Sequence, residues 1–323
     1  MNTILHSALV AASLLVFAGC AGGGNTNNNG ENSDNDGYKS GEMVQINYAD
    51  YGLDQDFINR YDSLNIADIG DMIQSFPSPV EMAAIIQNMN VPYRTKYLFP
   101  KDAAKNFETN FKKALGLGVY CADLGYLNVY NQSRDVIDYL VNIRQLSDQL
   151  KIGQFFDFST LKNIATNSDN LDSLLILSVQ SYFNMDAYLR QNDRSNLSAL
   201  MVTGVWLESL YLACDVYQEK QNKQLKDFIA SQKPILANLL GVLVKFIKSD
   251  PDYVKLVANL KDLVNAMENI TIETIEGEDQ HEIVDGQSIT TQGEHTEITV
   301  SDEQMMQIVK VTQNIRKKIA EQL

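Results

Sequence analysis

Gly118-Val119-Tyr120-Cys121-Ala122-Asp123-Leu124-Gly125-Tyr126-Leu127-Asn128-Val129-Tyr130 is apolar on every side when wound as a helix. So is Gly204-Val205-Trp206-Leu207-Glu208-Ser209-Leu210-Tyr211-Leu212-Ala213-Cys214-Asp215-Val216-Tyr217. A surface helix carries one apolar stripe, whereas a helix that is apolar all round is covered by its neighbours. The two segments therefore predict the central helices of an all-α fold, a stack of helical hairpins or a bundle. They also resemble each other. Both open on Gly-Val-aromatic, Leu124 matches Leu210, and both close on Val-Tyr after a one-residue slip. An internal duplication at a spacing of 86 residues (118 to 204) produces this pattern, and so does chance likeness between two buried helices.

Outward from these segments, helical patterning extends from about Pro77 to Ile270. Ser133 opens a stretch with Val136, Leu140, Ile143 and Leu150 on one face, and Gly153 stands just past its end. Ser249-Asp250-Pro251 pairs a capping side chain with a proline preset for the first turn. Ser301-Asp302-Glu303-Gln304 reads as a capping box for a last helix, with Arg316, Lys317 and Lys318 complementing its far end.

The segment 270–300 breaks the pattern. Alternation in Thr271–Ile275 and Glu294–Val300, with an Asp285-Gly286 turn signal between, predicts a small β-hairpin inserted before the last helix. Twelve acids and no lysine or arginine lie between Lys261 and Lys310. Such a segment is expected as a satellite of the helical body rather than part of its core.

Residues 1–19 read as an address. An apolar run from Ile4 to Phe17 ends in Phe17-Ala18-Gly19-Cys20, which resembles a bacterial lipobox and marks Cys20 for lipidation. Residues 20–45 are rich in Gly, Asn, Ser and Asp and bury almost nothing, so they read as a flexible tether with a reach of about 25 Å. The folded domain is then 46–323. The expected partner of the N-terminus is a membrane, reached through a lipid on Cys20. Ala21 after that cysteine favours the outer membrane of a cell envelope.

The chain of 323 residues is 45% hydrophobic, ordinary for a globular protein, with 26 Lys+Arg against 41 Asp+Glu and a net charge of -15. That balance argues against nucleic acid as a partner, because phosphate recognition needs clustered cations. Three histidines and three cysteines leave little room for metal or triad chemistry. No HExxH, CxxC or calcium-loop spacing occurs, and no cofactor motif is found. Asp279, His281, Glu282 and Asp285 could loosely gather a divalent ion, but a solvated acidic surface is the plainer reading.

Three blocks carry a family resemblance: Lys113 to Tyr126, Asn167 to Leu174, and Arg194 to Ala213. They resemble blocks recurring in uncharacterised predicted lipoproteins of Bacteroidetes. The resemblance implies a helical envelope lipoprotein and transfers no functional residues.

Among single residues, Asp123 interrupts an apolar helix, flanked by Tyr120 and Tyr126. A buried carboxylate must be paired, hydrogen-bonded or neutral. Its partner is expected at a neighbouring helix N-terminus or at an arginine such as Arg134, Arg144 or Arg194. Glu208 and Trp206 are the matching polar and aromatic residues of the second segment. Tyrosines on a concave helical surface could stack on sugars or peptides, but helix packing is the simpler role. Cys121 and Cys214 could pair in an oxidising compartment, though two buried thiols fit better. The leading functional expectation is a non-catalytic envelope lipoprotein binding an unknown protein or glycan, or scaffolding the surface. The rival is a hydrolase of envelope or imported glycans using Asp123 and Glu208 alone.

Overall fold

The computed structural model describes residues 46–64, 85–86, 90–166, 181, 183–248, 250–275, 280–284, 287–291 and 295–322. The expected leader at 1–19, Cys20, the tether at 20–45 and the block Asn167–Leu174 lie outside the described residues.

A 3-10 turn at Tyr48–Tyr51 leads into α1 (Gln55–Asp62). After residues 91–107 come α2 (Asn110–Val129), α3 (Ser133–Gln149) and α4 (Phe158–Thr166). Residues 183–191 are helical, followed by α5 (Ser195–Glu219), α6 (Lys223–Ala230), α7 (Lys233–Leu243) and α8 (Pro251–Met267). Strands β1 (Thr271–Ile275), β2 (Gln280–Val284), β3 (Gln287–Thr291) and β4 (His295–Thr299) precede α9 (Asp302–Gln322). The fold is all-α with a small β insertion before the last helix.

The two all-apolar segments are the centre of it. In α2 every residue from Ala114 to Val129 is buried except Cys121. In α5 everything from Leu197 to Tyr217 is buried except Val205, Tyr211 and Asp215. By length and apolarity α5 is able to cross a membrane, but 89% of its apolar window is covered by protein, as befits a core helix. The two helices cross at the matched glycines. A Cβ on Gly118 would fall on the Met201 carbonyl oxygen and 3.0 Å from Gly204 Cα; a Cβ on Gly204 would fall on the Leu115 carbonyl oxygen and 3.2 Å from Gly118 Cα. The Gly-Val-aromatic likeness thus has a packing cause, since both helices need a missing side chain at one crossing point.

The other helices pack around this pair: α3 on α2, α9 on α5 and α8, α8 on α7, and α1 on α7. Two of the anticipated caps are present, whereas α3 starts at Ser133 itself with Gln132 at the cap position and no side-chain cap. Asp250 accepts the Asp252 N–H at 2.8 Å with Pro251 at the first helical position, and Ser301 Oγ accepts the Gln304 N–H at 3.1 Å. The expected role of Gly153 is corrected. It is Lys151, at φ 58°, that takes the left-handed position after α3, and Gly153 starts a 3-10 turn.

The expectation of helix throughout from Pro77 to Ile270 is also corrected. Residues 91–107 form a strap with only 3-10 turns, at Thr95–Tyr97 and Ala103–Asn106. Pro92 and Pro100 lack backbone donors and hold their predecessors out of helix. The strap's polar backbone is satisfied by side chains from below. Tyr120 donates to Pro100 O at 2.8 Å and accepts from the Ala104 N–H at 3.1 Å. Tyr126 accepts from the Arg94 N–H at 3.0 Å, while Tyr130 donates to Val91 O at 2.8 Å and Tyr139 to Phe99 O at 2.6 Å.

β1 pairs antiparallel with β4, and β2 with β3. Val284 faces Gln287, which leaves two residues, Asp285 and Gly286, between those strands. Thr271 to Thr274 are exposed, whereas Ile270 is buried and Ile298 and Val300 are half-buried against the helical core. The β1–β4 pair therefore touches the core through Ile270, Ile298 and Val300 while Thr271 to Thr274 stay exposed.

Candidate functional site

Three helices deliver one buried polar cluster. Asp123 of α2 is 0% exposed, Glu208 of α5 is 1% exposed, and the side chain of Arg316 of α9 reaches in between the helices at 13%. Arg316 grips Glu208 with two donors, Nη2 to Oε1 at 2.8 Å and Nε to Oε2 at 3.1 Å. The guanidinium also sits 4.8 Å from the Phe99 ring centroid and 4.7 Å from that of Tyr211. This is the planar, weakly hydrated cation that a buried ion pair requires.

Asp123 is held differently. Its Oδ2 accepts the Phe99 backbone N–H at 2.8 Å, and its Oδ1 has no hydrogen-bond partner. Burial, and then the Glu208 charge, push its carboxyl well above the usual range; the Phe99 N–H and Arg316 oppose this. Glu208 is also raised by burial, against the pull of Arg316. The geometry distinguishes their states: the two-donor grip makes Glu208 the charged member and leaves Asp123 as a neutral acid.

Asp123 therefore has a testable pH signature. The unfolded chain releases its proton above about pH 4, while the folded chain retains it. Stability is fullest below that value and falls as pH rises toward the raised folded value, by up to about 1.4 kcal/mol per pH unit for this one group. Asp123→Asn removes this slope and keeps an acceptor for Phe99 N–H, so the variant gains on wild type between pH 4.5 and 7.5. Asp123→Leu orphans that N–H and destabilises by roughly 1–3 kcal/mol. Urea midpoints at the two pH values decide it, and parallel pH profiles for Asn and wild type would refute the neutral-acid reading.

Outside the cluster lies an open groove of about 400 Å³ lined by Tyr211, Asp215, Gln313, Arg316, Lys317, Ala320 and Glu321. Asp215 accepts from Gln313 Nε2 at 2.6 Å on its wall. Arg316 is shared by cluster and groove, but neither Asp123 nor Glu208 lines the groove. The cluster can lock α2, α5 and α9 together; it presents no pair of carboxylates to a ligand.

The expected partners of Asp123 are corrected. Arg144 pairs with Asp148 along its own helix at 3.8 Å, Arg194 donates to Leu150 O at 2.9 Å, and Arg134 is exposed. The partners are Phe99 of the strap, which the helical reading concealed, and Arg316, expected to complement the far end of α9 but lying before its last turn. A third buried acid, Asp186, was also not foreseen; it accepts from Ser198 Oγ at 2.5 Å and pairs with Arg190 at 2.7 Å.

The remaining candidates take packing roles. Tyr120 and Tyr126 are 0% exposed, with hydroxyls aimed at the strap rather than at solvent or a ligand. Trp206 Nε1 donates to buried Gln232 Oε1 at 3.1 Å. Cys121 and Cys214 are free thiols, each pushed up to about 12 by burial. Among the described residues no three His, Cys, Asp or Glu gather in a way that could hold a metal ion. The side chains of Asp279, His281, Glu282 and Asp285 lie outside the described residues. No family model matches the chain, and neither a curated protein nor a solved structure matches it.

Proposed function

We propose that this chain is a non-catalytic binding or scaffolding lipoprotein of a bacterial cell envelope. On this reading it is acylated at Cys20, carried on the polar tract 20–45, and held at the outer membrane. The observation that carries the non-catalytic part is the sealing of both candidate carboxylates. Glu208 is committed to Arg316 and Asp123 to the strap, with neither at the groove. A glycosidase pair needs two carboxyls flanking a bond that substrate can reach, and among the described residues neither Asp123 nor Glu208 lines the groove. The lipid anchor is supported by the Phe17-Ala18-Gly19-Cys20 run and the long unburiable tract behind it.

The experiment is metabolic labelling with a fatty-acid analogue in a Gram-negative host. The wild-type chain is expected to take up label and partition with membranes, while Cys20→Ala takes up none and leaves the membrane fraction after signal cleavage or stays as an unprocessed precursor. Equal labelling of the two chains would sink the anchor.

A further inference from the structure

β1 and β4 pair with each other and, among the described residues, with no third strand. Each therefore keeps one edge whose backbone N–H and C=O groups pair with no described strand, and Thr271 to Thr274, Thr296 and Glu297 are exposed. An isolated two-stranded ribbon is marginal in water, and this one carries an added load. Its register sets Glu273 directly opposite Glu297, so that two like charges meet on one face. The other face sets Ile272, 36% exposed, against Ile298. Lysine, proline and bulges are absent from these edges, whose only charged protection is the pair of glutamates: the strands read Thr-Ile-Glu-Thr-Ile and His-Thr-Glu-Ile-Thr in continuous register.

Charge selects what can use these edges. A second copy of the ribbon brings the same acids, and the stretch between Lys261 and Lys310 offers twelve of them with no cation. Self-pairing is thus repelled. A strand with lysine or arginine at alternate positions would place its cations beside Glu273 and Glu297 and complete the ladder through its backbone. We propose that the ribbon is a strand-addition site for an extended, lysine- or arginine-rich segment of another protein. This deepens the reading of the chain as a binding module by naming the class of its partner.

The test uses the full chain in detergent and three peptides of about ten residues. One alternates Lys and Thr, one alternates Glu and Thr, and one is the Lys peptide N-methylated at every second residue, which keeps the charge but removes ladder donors. Fluorescence anisotropy is expected to show binding of the Lys peptide, none of the Glu peptide, and weakening by about tenfold or more on N-methylation. Glu273→Gln/Glu297→Gln is expected to weaken the Lys peptide by about threefold or more, and amide exchange to slow in β1 or β4 when that peptide is bound. Equal affinity of the N-methylated peptide would reduce the site to non-specific charge and overturn the proposal, as would no binding at all or a protein that self-associates through the ribbon. Cys20→Ala is expected to leave peptide binding unchanged, so failure of the anchor and failure of this site are read separately.

Discussion

Arg316→Ala is expected to lower the unfolding free energy by about 3–5 kcal/mol, the range for stripping one partner from a buried ion pair. Glu208 would keep its place at 1% exposure and lose both donors of its only described cation. The neutral acid Asp123 would lose the positive charge that tempers it, and the Phe99 and Tyr211 rings would lose the guanidinium packed against them. The double variant Glu208→Gln/Arg316→Met should recover most of the loss, because exchanging both members for neutral side chains of similar size leaves no charge buried. Guanidinium denaturation measures both. An Arg316→Ala midpoint equivalent to less than about 1 kcal/mol would mean that water screens the pair as it does surface bridges, contrary to its burial.

Gly118→Ala should destabilise by about 2–3 kcal/mol, although alanine in a helix interior is worth about 1 kcal/mol more than glycine. The added methyl has no room. It would land on the Met201 carbonyl and lie 2.8 Å from the Val205 nitrogen, both backbone atoms that cannot rotate aside. Gly204→Ala meets the Leu115 carbonyl in the same way, with the Val119 nitrogen at 3.1 Å. The two losses should not add: once one methyl has forced α2 and α5 apart, the second finds space already made. Thermal melts with helical circular dichroism retained at low temperature provide the measurement. A Gly118→Ala chain that melts higher than wild type would show that the helices do not approach this closely.

The helical class was legible because its signals are local. All-round apolarity in α2 and α5, the Asp250-Pro251 start of α8, the Ser301 cap of α9 and the alternation of β1 and β4 each depend on a few adjacent residues. The strap was illegible for the opposite reason. Residues 91–107 have no periodicity of their own, and their conformation is fixed by hydroxyls arriving from Tyr120, Tyr126, Tyr130 and Tyr139. The buried site was half legible. An acid inside an apolar helix announces that it needs a partner, and Asp123 and Glu208 could be named on that basis. The partner Arg316 sits 108 residues from Glu208 among neighbouring lysines, where nothing in a single sequence separates an inward cation from an outward one. The glycine crossing lay between these cases: the repeated Gly-Val-aromatic run was visible, but its cause was a contact between the two copies.

The N-terminal edge of the helical body has a mechanical meaning. Lys261 of α8 reaches across to the Gly52 carbonyl at 2.8 Å and the Asp54 carboxylate at 2.9 Å, and lies 5.1 Å from the Phe57 ring centroid. Asp54 in turn caps α1 through the Phe57 N–H at 2.7 Å. If the chain is held from its N-terminal side, tension enters the body at Ile46 and meets this clasp first. The clasp joins the first short helix to α8 by polar contacts at the surface, which yield singly. The α2–α5 crossing is joined by interlocked backbone and yields only as a unit. On that condition the clasp would act as a fuse: it parts first, and α1, still held by Phe57, Ile58 and Tyr61 buried in the helical core, would follow before the core that holds Asp123, Glu208 and Arg316 opens.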